Sequence, residues 1–177
     1  GNFLLADTSV MYSDGSEGSG WAFYGSLEHV AGPFSLFASY MHASEGFRDL
    51  AGNFGYTPIT DQVIATGSVQ LSRLGYFNLA YVGQREITGD ESSVLSGTYG
   101  LDLFRNQVNL SVSGYTETIQ NDWGVVVSIT VPIGQRASAY AEHSWRNGIL
   151  SSAATVRGDA FRDRLYWEIS GQQGEFD

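Results

Sequence analysis

The chain has no cysteine, no lysine and only 3 prolines among its 177 residues, and charged residues make up just 16% of it. Without cysteine it can form neither a disulfide framework nor a cysteine-ligated metal site. The low charge and the 42% hydrophobic content exclude a disordered chain, which needs the opposite balance. Apolar runs such as Phe3–Ala6 are far shorter than the ~20 residues of a membrane-spanning helix, which excludes a helical membrane protein.

Positive charge is also scarce. All 9 basic residues are Arg, and against 19 acidic residues they leave a formal charge of −10. A nucleic-acid partner is therefore not expected, because phosphate binding needs basic patches. Gly1 opens the chain without the basic and apolar regions of a secretory signal, so we expect a mature chain or a piece of a longer one.

Alternation of apolar and polar residues takes the place of helical periodicity, in segments closed by Gly, Asn or Asp. Tilted membrane-spanning strands need ~9–11 residues, whereas strands of globular proteins average about five or six. The sequence therefore predicts an all-β fold, an antiparallel transmembrane β-barrel or a segment of one, as a single segment over 1–177 without further domains. About eleven long strands joined by hairpins are predicted at 3–12, 20–30, 33–43, 60–72, 76–87, 92–104, 107–118, 123–133, 137–146, 149–158 and 163–173.

Register between neighbouring strands agrees with one apolar and one polar face. In the eighth and ninth strands, a turn at residues 134–136 places Val131 opposite Ala139 and Val125 opposite Trp145. The fourth and fifth strands, and the sixth and seventh, match their apolar faces in the same way. A soluble antiparallel sheet with one wet face would show the same alternation, so this pattern alone does not decide between the two.

Connection length, aromatic residues and charge favour the membrane barrel. Long connections are predicted at 13–19 and 44–59, after odd-numbered strands, and short ones after even-numbered strands, as in outer-membrane barrels. Trp21, Trp123 and Trp145 then fall near the long-loop end, where an interfacial aromatic girdle belongs. The long-loop side carries the acids Asp14, Glu17, Glu45, Asp49, Asp90, Glu91 and Asp122, and the short-turn side carries Arg73, Arg105 and Arg136.

No catalytic or metal-binding constellation is recognisable. His29 and His42 are expected more than about 20 Å apart, because His42 should pair with Trp21 and strands rise ~3.3 Å per residue. The run Glu142–Ser144 contains triad residue types, but consecutive strand residues face opposite ways, so His143 should not activate its neighbour. We therefore expect no enzyme, no metal and no cofactor.

The connection after the third strand is unusual for its length and its aromatic residues. Phe47, Arg48, Phe54 and Tyr56 form a candidate functional loop, since a loop of this size is either functional or mobile. Two interpretations stay open: packing of its aromatics on the rim of the barrel, and contact with a polypeptide passing nearby.

Several segments together resemble one family. The run 70–81 (QLSRLGYFNLAY), the run 101–113 (LDLFRNQVNLSVS) and the run 123–134 (WGVVVSITVPIG) are similar to the translocation barrel of the outer-membrane ushers of the chaperone/usher pathway. The segment 44–50 (SEGFRDL) is also similar to an usher stretch that precedes a strand. The resemblance extends, in order, over most of the chain.

The resemblance implies a non-enzymatic pore in the bacterial outer membrane. Ushers have roughly two dozen strands, a plug domain and periplasmic domains, so an eleven-strand chain would be a fragment of the barrel. Its partners would be membrane lipid and the complexes of periplasmic chaperone with pilus or fimbrial subunits, which assemble by donor-strand exchange. Candidate lumen-facing residues are Thr66, Ser68, Gln70, Asn78, Ser96, Thr98, Asn109, Ser111, Ser113, Ser128, Thr130, Ser138 and Tyr140.

Two other functions fit parts of the sequence. A free-standing small outer-membrane barrel, a porin or surface-binding protein, would use its acidic loops and should close with an even strand number. A soluble carbohydrate-binding β-sandwich would line a groove with Trp and Tyr side chains.

Overall fold

A computed structural model describes residues 2–15, 18–48, 57–104, 108–119, 121–134, 136–160 and 165–174. These ranges are all-β. The strands are β1 (Phe3–Gly15), β2 (Gly18–Ala31), β3 (Phe34–Ala43), β4 (Ile59–Gln70), β5 (Tyr76–Glu86), β6 (Glu91–Leu103), β7 (Val108–Glu117), β8 (Trp123–Ile133), β9 (Ala137–Arg146), β10 (Ile149–Ala160) and β11 (Leu165–Gly174). Within the same ranges a 3₁₀ turn at Ser72–Leu74 is the one helical element, and no helix is long and apolar enough to cross a membrane.

The strands belong to one sheet whose strand order follows chain order from β1 to β11. Antiparallel ladders join β1 through β4 and β7 through β11. The strands have between 10 and 14 residues. The prediction of an all-β fold with about eleven long, hairpin-connected antiparallel strands is confirmed, and the predicted strand ends agree with the observed ones to within a few residues.

The sequence of β8 shows why these segments are extended. It is rich in Val, Ile and Thr, whose branched side chains suit a pleated strand. Val125, Val127 and Ile129 point to one face and are 38%, 40% and 38% exposed. Ser128 and Thr130 point to the other face. The predicted register with β9 is confirmed in the β8–β9 ladder, which places Val131 opposite Ala139.

Contacts within the chain divide it into two compact units. The first comprises Gly1–Val69, Asn78–Leu95 and Glu117–Asn121. The second comprises Gln70–Phe77, Ser96–Thr116 and Asp122–Asp177.

In the first unit, the ladders of β1 to β4 define an apolar face and an opposite face of mixed polarity. The apolar face exposes large side chains, among them Leu4, Val10, Tyr12, Trp21, Phe23, Leu27, Leu36, Tyr40 and Val63. The opposite face carries Ser26, Glu28, Ser35, Ser39, Thr66 and Ser68 together with Phe37 and Met41.

In the second unit, the ladders of β7 to β11 separate the two faces more completely. The apolar face exposes Val112, Trp123, Val125, Val127, Ile129, Trp145, Leu150 and Ile169. The polar face carries Asn109, Ser111, Ser113, Ser128, Thr130, Ser138, Tyr140, Glu142, Ser144, Ser151, Arg157 and Glu168. Each of these side chains is assigned to its face by the partner directly opposite it.

Little of the protein is buried. In the described part of the chain the buried hydrophobic residues are Ala22 and Ala43, which are 0% and 3% exposed. They lie directly opposite each other on β2 and β3. The described strands therefore hold together through backbone ladders rather than through a packed apolar core.

Two sequence-based predictions about the first unit are wrong. The long connection predicted at 13–19 is absent, because the β1–β2 ladder continues to the pair Gly15 and Gly18. His42 pairs with Phe23 and not with Trp21, because β2 and β3 turn through two residues, Gly32 and Pro33. The shift is two residues, so each side chain keeps its predicted face.

The predicted connection lengths hold in part: the short connections after β2 and β8 and the long one between β3 and β4 are present. The segment 71–75 after β4 is longer than predicted because it contains the 3₁₀ turn. The connections after β1 and β9 are as short as the turn between β2 and β3. Of the connections after β1, β3 and β9, only the one after β3 is long.

A buried carboxylate fastens the ends of β7, β8 and β9 in the second unit. Asp122 is only 5% exposed and accepts hydrogen bonds from Arg146 at 2.6 and 3.1 Å, from Asn147 at 2.7 Å and from the Tyr115 hydroxyl at 3.2 Å. Hydrogen bonding by the Arg146 guanidinium is the main cause that lowers the pKa of Asp122 below its usual value. Asp122 and its partners Arg146, Asn147 and Tyr115, called the polar clasp below, therefore link the ends of three strands.

The turn between β9 and β10 is shaped for this clasp. Asn147 and Gly148 both have positive φ, 48° and 90°, as the two central residues of a type I′ hairpin turn require. The Asn147 side chain donates to Asp122 and also accepts a hydrogen bond from the Trp123 amide at 3.1 Å. One side chain thus joins the turn to the start of β8.

We predict that Asp122→Asn loosens the β8–β9 hairpin at neutral pH, so that the Trp123 amide exchanges several-fold faster than in the wild type. A depressed folded-state pKa contributes stability above the unfolded value of about 3.9 and loses it as pH falls through the lower folded value. Protection of the wild-type hairpin should therefore fall below about pH 4, and the variant should lack this step. Asp159→Asn, an exposed carboxylate of β10, is the control. Equal acid dependence in all three proteins would contradict the clasp.

Candidate functional site: the polar faces and the segment 44–48

Hydroxyl pairs cross the polar face of the second unit from strand to strand. The Oγ atoms of Ser111 and Ser128 lie 2.7 Å apart, and those of Ser144 and Ser151 lie 2.5 Å apart. In both pairs the two residues are directly opposite each other in the ladder. Such pairs satisfy polar groups across the strands and leave a neutral, hydroxyl-lined surface.

Tyrosine–glutamate pairs add acceptors and rings to the same face. The Tyr140 hydroxyl donates to the Glu142 carboxylate two residues along β9. The Tyr166 hydroxyl donates to Glu168 at 2.6 Å in the same relation along β11. Because residues two apart in a strand share a face, each pair lies flat along its own strand.

The other predicted lumen-facing residues of the second unit also fall on this face. Asn109 donates to Asp102 at 2.8 Å, which puts Asp102 of β6 on the polar face. Ser96 and Thr98 share that face with Asp102 by alternation. In the second unit, nine predicted lumen-facing residues lie on or beside the polar face: Ser96, Thr98, Asn109, Ser111, Ser113, Ser128, Thr130, Ser138 and Tyr140.

Two predicted residues close to the β4–β5 connection need separate description. The Gln70 side chain donates to the carbonyl of Gly75 at 3.3 Å, so it caps the connection. Asn78 is exposed on β5 and shares its face with Tyr76.

In the first unit the predicted lumen residues have mixed surroundings. Ser68 is paired with Ser35, with an Oγ–Oγ distance of 2.6 Å. Thr66, however, lies opposite Phe37. This face is therefore less polar than its counterpart in the second unit. The alternation within β4 could not predict this difference, because it says nothing about the residues opposite on β3.

Several polar-face residues were missed by sequence reasoning. In the second unit they are Glu142, Ser144, Ser151, Arg157 and Glu168. Their signal was present in the sequence, because Glu142 and Ser144 follow Tyr140 at the same period of two. Extending the alternation through β10 and β11 would have found the rest.

The start of the long connection after β3 folds over the mixed face of the first unit. The Ser44 amide donates to the Trp21 carbonyl at 2.9 Å, and the Ser44 hydroxyl accepts from the Trp21 amide at 2.9 Å. The Arg48 amide donates to the Ser13 hydroxyl of β1 at 3.0 Å. The segment 44–48 therefore runs from the end of β3 across β2 to β1.

Close backbone contact holds this segment in place. A Cβ added at Gly20 would lie 2.0 Å from the Phe47 nitrogen, so only glycine fits beneath the segment. Gly20 is directly opposite Ser13 and on the same face as Ala22. The crossing thus occurs on the face opposite the exposed Trp21, and it covers the side where the two buried alanines lie.

The predicted loop residues can be placed in part. Phe47 and Arg48 belong to the segment 44–48 and are half-buried, and the Arg48 guanidinium donates to the carbonyls of Glu45 and Phe47 at 2.8 and 3.0 Å. Phe54 and Tyr56 lie outside the described residues.

Histidine geometry follows strand alternation. His143 lies within 2.7 Å of the Ser152 hydroxyl on the apolar face, whereas Ser144 faces the other way and pairs with Ser151. Across the ranges that the structure describes, no group of three or more His, Asp or Glu side chains is arranged to hold a metal ion.

Comparison with known proteins gives no assignment: the chain matches no protein-family model and no curated protein. The two faces of the sheet and the segment 44–48 are therefore the features from which function can be inferred.

We predict that Gly20→Ala displaces the segment 44–48. The new methyl group would overlap the backbone of Phe47 and Gly46, which cannot turn aside as a side-chain tip could. Hydrogen–deuterium exchange should show faster exchange of the Phe47 and Arg48 amides, by several-fold to about tenfold if one net hydrogen bond each is lost.

Gly15→Ala is the matched control, because a Cβ there meets nothing within 4 Å. Unchanged protection of the segment in the Gly20 variant, or equal loss in the control, would show that the segment is not held over this face.

Proposed function

We propose that this chain is part of the wall of an outer-membrane translocation pore, which passes chaperone-delivered pilus or fimbrial subunits and supports their assembly. The exposure of large apolar side chains on one face of a single sheet is the observation that carries the proposal. Val127 and Trp145 of the second unit are 40% and 52% exposed, and Leu36 of the first is 59% exposed.

Lipid is the solvent that best suits such a face. Burying a Val, Leu or Ile side chain is worth about 1.5–3 kcal/mol, so each half-exposed side chain leaves roughly 1 kcal/mol unrealised in water. A β-sandwich would cover this face with a second sheet, whereas the observed strand order places all eleven strands in one. The soluble carbohydrate-binding alternative is correspondingly disfavoured.

Aromatic side chains near strand ends support a membrane interface. The rings of Trp123 and Trp145 lie 5.9 Å apart on the apolar face of the second unit. In the first unit the Trp21 ring lies 5.4 Å from that of His42. All three Trp side chains are between 40% and 52% exposed. Tryptophan is enriched where hydrocarbon meets headgroups, because its ring is amphipathic.

The polar face suits the passage of a protein. Its Ser–Ser pairs satisfy one another, so the surface is wettable, and its charged side chains Asp102, Glu142, Arg157 and Glu168 are spread over four strands. In the first unit, the segment 44–48 lies over the face of mixed polarity and carries Phe47. A passing polypeptide could touch this ring, which is the contact proposed for the loop.

A free-standing small outer-membrane barrel is the second candidate, since it would have the same two faces. Its distinguishing requirement is closure with an even number of strands, because bacterial single-chain barrels have even strand numbers. A detergent-solubilised, heat-modifiable monomer of this chain alone would favour that candidate over a segment of a larger wall.

The translocation proposal predicts side-specific contacts with subunits. A photocrosslinking amino acid would replace Ser128 or Tyr140 of the polar face, with Val127 and Ala141 of the apolar face as matched controls on the same strands. In cells that produce the pilus subunits and their chaperone, the polar-face positions should crosslink to subunits and the apolar-face positions should not. Crosslinking from both faces, or from neither during active secretion, would overturn the proposal.

A further inference from the structure

Apolar side chains are exposed at one end of the second unit, where β6 continues into β7 and β8 into β9. Phe104 follows β6, Ile133 ends β8, and Leu74 lies in the connection after β4. These side chains are 74%, 51% and 68% exposed. Apolar side chains that are exposed singly need no explanation, whereas a group at one edge marks an interaction surface. We call this place the short-turn end.

The backbone holds Phe104 in a strained conformation. Its φ is 51°, in the left-handed region that an aromatic residue rarely adopts. Such strain persists where the surrounding structure imposes it, and it concentrates at functional positions. A strained turn that keeps an apolar ring outside the fold indicates a partner beyond the chain.

An open cavity of about 470 Å³ adjoins the Phe104 ring. Its lining comprises Phe104, Val108, Val131, Pro132 and Gly134. By alternation along β7 and β8, Val108 and Val131 belong to the apolar face. The cavity therefore lies where the apolar face of the second unit meets the short-turn end.

The connection after β4 packs against β6 on the same side. The Tyr99 hydroxyl donates to the Leu74 carbonyl, and Tyr99 points away from the polar face that its neighbour Thr98 shares. A Cβ added at Gly75 would overlap the Gly100 carbonyl oxygen, so glycine permits this close approach. The connection thus brings Leu74 to the apolar side of β6.

Two exposed arginines flank the apolar side chains. Arg73 lies in the connection after β4, and Arg136 lies in the turn after β8, two residues beyond the lining of the cavity. Neither has an ion pair with another residue that the structure describes, whereas the Arg85 guanidinium is paired with Glu91 at 2.5 Å. The short-turn end therefore offers positive charge that the described chain does not neutralise.

The carboxylates that the structure describes at this end lie on the polar face. Asp102 accepts a hydrogen bond from the Asn109 side chain there. Asp159 lies opposite Tyr166, whose hydroxyl donates to Glu168 on the same face. An anion that approaches along the apolar face therefore meets the guanidinium groups rather than these carboxylates.

Charge at the short-turn end selects among lipids. A guanidinium pairs with a phosphate through two parallel hydrogen bonds. A zwitterionic headgroup offers the same phosphate but adds an ammonium group, which unpaired guanidinium groups repel. A headgroup with phosphate as its one charge is therefore preferred.

We infer that the short-turn end binds an anionic phospholipid of the phosphatidylglycerol class, with the phosphate at Arg73 and Arg136 and an acyl chain against Phe104 and Ile133. This inference rests on the proposed membrane location. Short turns face the periplasm in outer-membrane barrels, so this end meets the leaflet of phospholipids on the periplasmic side. Basic and aromatic side chains hold proteins at headgroup level, because the cation attracts anionic lipid and the ring lies at the edge of the hydrocarbon.

The test uses the full chain in bilayer nanodiscs that contain acyl-chain photoactivatable phosphatidylglycerol or phosphatidylcholine. Labelled residues are mapped by tandem mass spectrometry. Phosphatidylglycerol should label Phe104 several-fold more than phosphatidylcholine, whereas both lipids should label Val127 equally. Arg136→Gln should lower this preference. Phe104→Gly should reduce labelling at Val131, because the ring is lost while glycine suits a φ of 51° and keeps the turn.

Arg157→Gln is the matched control. It removes the same charge at the same end of the second unit, but from the polar face, so the lipid preference should persist. Equal labelling of Phe104 by both lipids, or a preference that Arg136→Gln leaves unchanged, would overturn the inference and leave the membrane location intact. Labelling of Val127 without Phe104 would overturn it as well. Absence of labelling at both positions would contradict the membrane location itself.

Discussion

Backbone hydrogen bonding between neighbouring strands is the interaction on which the rest of this structure depends. Ala22 and Ala43 are the buried hydrophobic residues in the described part of the chain, so side-chain packing contributes little. The ladders satisfy the N–H and C=O groups between neighbouring strands, as a hydrocarbon environment demands, whereas the outer edges of β1 and β11 have no partner strand in the described part of the chain. Once the backbone is satisfied in this way, each strand can direct one row of side chains to lipid and the other to water.

Polar contacts then act locally at the places where ladders end. Asp122 joins three strand ends through Arg146, Asn147 and Tyr115. The segment 44–48 uses backbone bonds and the absence of a side chain at Gly20 to cross the first unit. The ion pair between Arg85 and Asp61, 3.9 Å apart, places charge on the apolar face, next to aromatic rings. In each case the polar groups lie at or near strand ends, where headgroups and water would be available.

The sequence predicted the strands well because period-two alternation is a local signal that persists over ten or more residues. The β8–β9 register also followed from it, since the short turn between the two strands pairs Val125 with Trp145. Predictions failed where the length of a turn was wrong: the β1–β2 ladder reaches Gly15 and Gly18, and the partner of His42 is two residues away from the predicted one. Alternation assigns a face but not the length of a connection.

The polar-face residues were largely predictable for the same reason, whereas contacts between distant residues were not. Arg48 bonds to Ser13 only because β2 and β3 bring the segment 44–48 back over β1. Nothing in the spacing of these two residues indicates that proximity.

The lipid exposure of one face of β8 is the claim from which the proposed function follows. Spin labels placed singly at each position from 125 to 130 in bilayers would measure it through collisions with oxygen, which concentrates in hydrocarbon, and with a water-soluble nickel chelate. The account predicts a period of two, with oxygen maxima at Val125, Val127 and Ile129 and nickel maxima at Val126, Ser128 and Thr130. Nickel maxima at the first set, or no period at all, would contradict it.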